Sequence, residues 1–368
     1  MINNQRLLAT FLDYIQIDSE STHEKTFALR LAADLEAIGC QVEWDNSQNL
    51  TGSDTGNLYC TLPGTIEGEG LVFSAHMDTV VPGQGIVPVI EDGVIRSKGD
   101  TVLGGDDKSG VAAIVEAFRT VTEQKIPHPT VLAVFTVCEE TCLRGSRNLD
   151  YSKLVARRAL VLDSSGDAGV IITAAPGQYK VGATVVGRRA HAGVAPEQGI
   201  SAIQVLSEAI AQMKLLRIDS ETTANIGAVS ASYATNIVPE RASMVGEARS
   251  RSDEKLEAQV AHMVDCLQRA CDKYGARLEP DVSFAYSAYS HSPEHPLVMQ
   301  VSEAARKAGL TPVLKASGGG SDANHFNKAG VDALVLGTGM AKVHTTEEEL
   351  TIDNLQGTAR LVLQLIQG

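Results

Sequence analysis

LVFSAHMDTV, residues 71–80, is the stretch on which the reading of this chain turns. Leu71, Val72 and Phe73 make an apolar run suited to a buried strand, and the run ends in His76, Asp78 and Thr79. Imidazole is the commonest protein ligand for zinc-like metals. If strand geometry persists to Asp78, both side chains leave on the same face. A carboxylate so placed can hold the second ring nitrogen of His76 and fix its tautomer. Taken alone, H-x-D fits better a strand that simply ends in a polar loop. The carboxylates downstream change that balance.

Working outward, TVLAVFTV (130–137) is a continuous apolar run of the kind buried in a parallel sheet, and it leads directly into Glu139-Glu140. ALVL (159–162) ends in Asp163 in the same way. Between the first two strands lies LGGDDKSGVAAIVEAF, in which Gly104-Gly105 permit a tight turn, Asp106-Asp107 follow, and a helix begins at Ser109. Acids at a helix N-terminus are favoured by its dipole, so this motif alone supports a structural and a ligand reading equally. Three strands each deliver an acid or an imidazole at the C-terminal end, with helical patterns between them. That is a βαβ arrangement, and such sheets bind ligands outside the carboxyl ends of their strands.

The flanks complete the organisation. Residues 4–16 put Leu7, Leu8, Phe11, Leu12 and Ile15 on one helical face. Ser21-x-x-Glu24 reads as a capping box for a second helix closed by Gly39. Strands are expected at 41–45 and 57–62, and 82–105 is rich in turn signals. Near residue 177 the texture changes to β-α-β-β-α-β: strand 179–186, helix 200–216, strands near 226–230 and 242–249, helix 253–274 and strand 281–286. From 293 the α/β texture returns, with a helix at 296–308, the run Gly318-Gly319-Gly320-Ser321-Asp322, a strand at 332–336 and a last helix near 352–366. The expected fold is therefore α/β: a doubly wound, mostly parallel sheet domain (1–177 and 289–368) interrupted by an α+β, ferredoxin-like domain (178–288). His344 follows the 332–336 strand in a loop and completes the set of donors.

Composition narrows the function. The 368 residues exceed what one core usually supports. Lys and Arg number 31 against 45 Asp and Glu, a net charge of −14, which argues against a nucleic-acid or anionic-membrane surface. No apolar run is long enough to span a bilayer, and the N-terminus reads as a charged amphipathic helix, so a cytoplasmic location is expected. The six cysteines are thinly spread and read as free thiols.

His76, Asp106, Glu140, Asp163 and His344, with Asp78 and Glu139 beside them, are oxygen and nitrogen donors that suit Zn, Mn or Co. Five ligands are too many for one catalytic metal with an open position. They suit two metals about 3.5–4 Å apart that share a carboxylate and a water. Adjacent Glu139 and Glu140 cannot easily point the same way, so one can bind metal while its neighbour faces the water as a base.

The same residues resemble the M20 metallopeptidases, and within them the peptidase T-like group. The matching stretches are SAHMDTVVPG (74–83), LGGDDKSG (103–110), FTVCEET (135–141), VLDSSG (161–166), GRRAHAGVAPEQGISAI (187–203), GGGSDANHFN (318–327) and KVHTTEEEL (342–350). The resemblance implies a zinc-peptidase-like catalytic domain and two zinc ions, with Co or Mn as substitutes. It implies His76, Asp106, Glu140, Asp163 and His344 as ligands, Asp106 bridging. It further implies Asp78 as the orienting carboxylate, Glu139 as general base, and the inserted domain as a lid that forms a homodimer interface. His191, in R-A-H-A-G, resembles the histidine that reaches the partner's site and stabilises the oxyanion. Asn236 and Arg249, at strand ends of the inserted domain, look like groups that hold a substrate carboxylate. Gly105 stands where alanine is familiar, Cys142 where glycine is, and His325 where the group is usually apolar. A packing role is expected for His325. The expected activity is hydrolysis of small peptides, in the manner of a tripeptide aminopeptidase. An N-acyl amino acid amidohydrolase or a carboxypeptidase would use the same site chemistry, and an inactive binding module on the scaffold is the remaining alternative.

Overall fold

The computed structural model describes residues 1–368 and divides into two compact units. The first comprises 1–174, 291–317 and 321–368; the second comprises 175–290 and 318–320.

The first unit is organised by strand Leu71–His76, every residue of which is buried. Val131–Thr136 lies parallel to it on one side, with His76 opposite Thr136, and Arg158–Ser164 lies parallel on the other. Asp332–Gly337 extends the sheet in parallel beside Arg158–Ser164. Antiparallel strands flank this centre: Leu58–Leu62 next to Val131–Thr136, Gln41–Trp44 beyond it, and Val170–Ala175 next to Asp332–Gly337. The parallel centre follows from the apolar runs, because strands covered on both faces need no alternation. Helix Gly105–Glu123 covers one face, and Phe73 meets Phe118 edge to face with ring centroids 6.3 Å apart. Removing either ring would leave a cavity costing about 3–5 kcal/mol. Helix Ile352–Gln367 packs on the same region through Leu355, Leu361 and Val362.

The N-terminal helix Asn4–Ile15 is capped by Asn3, whose side chain accepts from the Arg6 amide, and it buries Leu7, Phe11 and Tyr14. Fully buried Glu116 of helix Gly105–Glu123 anchors it, accepting from the Arg6 guanidinium at 2.7 and 2.9 Å. The capping box expected at Ser21–Glu24 does not form. The second helix runs Lys25–Ile38, and the Ser21 hydroxyl instead donates to Asp78 at 2.6 Å. The Glu24 carboxylate accepts from the Ser53 hydroxyl and the Cys138 amide. Tertiary partners have taken both groups that the local motif would have used. Within the turn-rich stretch 82–105, strands Pro88–Glu91 and Val94–Ser97 form a hairpin about Asp92-Gly93, a pair whose positive φ angles of 49° and 76° suit a tight turn. All six cysteines are free thiols.

The second unit has an antiparallel sheet in the order Leu216–Arg217, Thr222–Ser230, Arg241–Ser250, Gly177–Val186, Arg277–Tyr286. Helices Ala202–Gln212 and Asp253–Tyr274 bury Val205, Leu206, Met263 and Leu267 against its inward residues Val181, Ala183 and Val185. Both helices start at serine caps, Ser201 accepting from Gln204 and Ser252 from Lys255, and the longer one stops at Gly275 in the left-handed region. No helix of the chain is long and apolar enough to cross a membrane.

Candidate active site

The carboxyl ends of the three parallel strands converge. His76 closes Leu71–His76; Glu139 and Glu140 follow Val131–Thr136; Asp163 lies near the end of Arg158–Ser164. Asp106 sits at the start of helix Gly105–Glu123 with non-helical backbone angles, and its peptide bond to Asp107 is cis. The loop after Asp332–Gly337 returns with His344, at φ 62°.

The side chains meet. His76 Nε2 lies 3.0 Å from Asp106 Oδ1 and 3.8 Å from Asp163 Oδ1. His344 Nε2 lies 3.3 Å from the other Asp106 oxygen and 3.0 Å from Glu140 Oε1. Asp106 thus stands between the two imidazoles. Two sets of three donors, each within 4.8 Å of one another, share His76: one with Asp106 and Glu140, the other with Glu139 and Asp163. His76 Nδ1 finds the main-chain oxygen of Asp78 at 2.9 Å, whereas the Asp78 carboxylate is 3.5 Å away. The ring is therefore oriented mainly by the backbone. The Asp78 carboxylate accepts from Ser21 and from the Glu139 and Glu140 amides at 2.9 and 3.2 Å, so it also braces the turn that presents both glutamates.

The electrostatics are those of crowded acid in a dry place. Burial, then the neighbouring Asp163 carboxylate, push Glu139 well above the ordinary carboxyl range. Burial raises Asp163 likewise, with Asp106 adding to the effect against His76. Burial opposes charge on His76, but the Asp106 and Asp78 carboxylates outweigh it and hold the ring's pKa well above its usual value. Asp106 and then Glu140 raise His344 to about 10. Burial disfavours the Asp106 carboxylate, yet the two histidines keep it ionised, below its ordinary range.

The ion pairs of the acid cluster are to His76 and His344. Asp322, almost fully buried, lies close enough to raise Glu139 and Asp163; one of its oxygens accepts from Thr136 at 2.6 Å and the other has no hydrogen-bond partner. Buried carboxyls of this kind take up either protons or a compensating cation, and imidazole with carboxylate is the donor set of zinc and its neighbours in the series. The residues therefore fit a metal centre.

The remaining expected site residues lie in the second unit. His191 is exposed, on a two-residue strand paired with Ile237–Val238, and the Ala192 amide donates to the Asn236 carbonyl at 2.9 Å. Asn236 is exposed in the adjoining turn. Arg249 lies on Arg241–Ser250, half-buried, with its guanidinium on Glu247 at 2.8 and 3.0 Å. His325 is buried in helix Asp322–Lys328, and burial followed by Lys328 and Arg147 lowers it to about 4. A further trio of donors, His291, His295 and Asp332, is tied up by the chain itself: His291 Nε2 pairs with Asn327 Oδ1 at 2.9 Å, and His295 Nδ1 accepts from the Leu297 amide at 3.3 Å.

Sequence reasoning assigned Ser21 only a capping role and Asp322 and Glu348 no site role, although all three touch or neighbour the cluster. Asp322, after a glycine run, carried the clearest signal. Glu348, in TTEEEL, reads as one of several surface charges.

Comparison with known proteins agrees along the whole chain. The model of peptidase family M20/M25/M40 matches residues 72–368. The uncharacterized protein YqjE of Bacillus subtilis strain 168 is 42% identical over 367 residues, covering 100% of this chain and 99% of that one. Among solved structures, aminopeptidase PepT from Bacillus cereus ATCC 10987 is 43% identical with a TM-score of 0.93, covering 100% of this chain and 98% of its own. A tripeptidase from Staphylococcus aureus subsp. aureus Mu50 is 39% identical with a TM-score of 0.96 and the same coverage. The chain belongs to peptidase family M20/M25/M40, as a metallopeptidase of its peptidase T-like group.

Proposed function

We propose that this enzyme removes the N-terminal residue from short peptides, tripeptides foremost, using two zinc ions held by His76, Asp106, Glu140, Asp163 and His344. The observation that carries the reading is Asp106 standing between two imidazoles, with His76 at 3.0 Å beside Asp163 on one side and His344 at 3.3 Å beside Glu140 on the other. The names of the two solved relatives, an aminopeptidase and a tripeptidase, support the substrate class. Two such ions would polarise the scissile carbonyl and make a water acidic enough to attack at neutral pH.

The chain's own groups would do the rest. Asp106, facing both imidazoles, would bridge. Glu139 would take the proton from the attacking water and return it to the leaving amine. Glu140 is assigned to the metal because its Oε1 lies 3.0 Å from His344 Nε2. Asp78 would hold both glutamates through their amides. In the inserted domain, taken as 178–288, His191 would donate to the developing oxyanion in the partner's site of a homodimer. Asn236 and Arg249 would hold the substrate carboxylate. Catalytic segments 1–177 and 289–368 would carry the chemistry.

A substrate panel tests this. Zinc-loaded enzyme is expected to cleave Ala-Ala-Ala fastest, Ala-Ala slowly, and N-acetyl-Met or succinylated amino acids not at all. Turnover confined to the acylated amino acids would overturn the peptidase assignment in favour of an amidohydrolase.

A further inference from the structure

Glu348 is 2% exposed, although its neighbour Glu347 is exposed and Glu349 pairs with Arg96 and Lys342 at the surface. Its carboxylate is spent entirely on main chain. One oxygen accepts from the Leu103 and Gly104 amides at 2.8 and 2.9 Å, and the other accepts from the Asp106 amide at 2.9 Å. These donors lie in the turn that leads into helix Gly105–Glu123, where Asp106 and Asp107 are not yet helical, and buried amides outside a regular element must find other partners. The residue at the cap position is Gly104, in the left-handed region at φ 71°, and it has no side chain to offer. Glu348 satisfies those amides from the far end of the sequence, although burial pushes its own carboxyl up to about 7.

The same carboxylate belongs to the His344 loop. That loop is closed on itself by the Glu348 amide on the Thr345 carbonyl at 3.1 Å and by the Thr345 hydroxyl on the Lys342 carbonyl at 2.7 Å. Glu348 therefore joins the backbone that presents Asp106 to the loop that presents His344, and those two side chains meet at 3.3 Å.

We infer that Glu348 is a positioning residue that sets Asp106 and His344 in register, so that the donor set containing Asp106 is formed before the cation arrives. The inference rests on the metal-centre reading above. Glutamine cannot replace it: an amide offers one acceptor oxygen, and its NH2 would confront a backbone N–H. Groups that orient metal ligands typically contribute 10–100-fold in metal affinity.

The test uses the full chain stripped of metal. Zinc affinity is measured by competition with a chromophoric chelator, alongside thermal melting of the metal-free protein. Wild type, Glu348→Gln, Glu348→Asp and the surface control Glu347→Gln are compared. Wild type and Glu347→Gln are expected to bind two ions with equal affinities. Glu348→Gln is expected to bind one ion roughly 10–100-fold more weakly while remaining folded at the assay temperature. Glu348→Asp keeps the charge but is one methylene too short for all three amides, so a smaller loss is expected. It carries the test if the glutamine variant does not fold. A folded variant that melts earlier yet keeps wild-type affinity for both ions overturns the inference and leaves Glu348 a structural cap only. Wild type that binds no zinc overturns the metal reading and the inference together.

Discussion

In the first unit, candidate side chains from five separate segments touch through atoms 3.0–3.8 Å apart; His76 and Asp106 are buried, Glu140 and Asp163 nearly so, and His344 is half-exposed. In the second, His191 and Asn236 are exposed, and Arg249 is engaged by Glu247. The first arrangement crowds carboxyl groups into buried positions, where burial and mutual repulsion raise Glu139 and Asp163. The second leaves His191 and Asn236 open to solvent. Chemistry that must place a proton within tenths of an ångström calls for the first kind of construction. Recognition of a flexible peptide can tolerate the second. Variants in the two regions should therefore fail differently, and that difference is the way to probe the contrast.

The largest effects belong to the adjacent glutamates. Glu140→Ala removes an anionic ligand, so one metal should be lost or bound far more weakly, and activity with it. Glu139→Gln should keep near-wild-type metal content and lose at least about a hundredfold in kcat, with KM changing far less. Metal analysis beside steady-state kinetics separates them. Metal loss in Glu139→Gln with both ions kept in Glu140→Ala would reverse the assignment.

His191 comes next, at about 10²–10³-fold in kcat for His191→Ala if it stabilises an oxyanion. Mixed with Glu139→Gln, it should regain part of the activity through heterodimers that hold one intact composite site. Confirmed subunit exchange without recovery would remove His191 from the partner's site.

The smallest effect is expected at Arg249. Arg249→Lys replaces a planar fork by a point charge, so KM for Ala-Ala-Ala should rise about tenfold with kcat nearly unchanged. A fall in kcat at constant KM would place Arg249 with the chemistry and erase the contrast between the two regions.

How much of this was legible in the sequence depends on how local the cause is. The parallel centre was readable because VLAVFT and ALVL are apolar without alternation, and the acids that end them stand in the sequence itself. The inserted antiparallel unit was readable from its changed texture and its two helix patterns. The hairpin about Asp92-Gly93 was signalled but hidden among other turn residues. Ser21 and Glu24 misled because a capping motif is a local rule, and here both side chains are claimed by Asp78, Ser53 and Cys138. Glu348 was invisible for the converse reason: nothing in TTEEEL tells which glutamate is buried, and its partners lie at Leu103–Asp106.

The central claim is that catalysis requires two cations at the strand-end cluster. The most direct measurement is Ala-Ala-Ala hydrolysis during titration of zinc into metal-free enzyme, with bound zinc counted at each step. The expected result is no turnover without metal and a rate that reaches its maximum at two equivalents per chain. Full activity in metal-free enzyme, or a maximum at one equivalent, would contradict it.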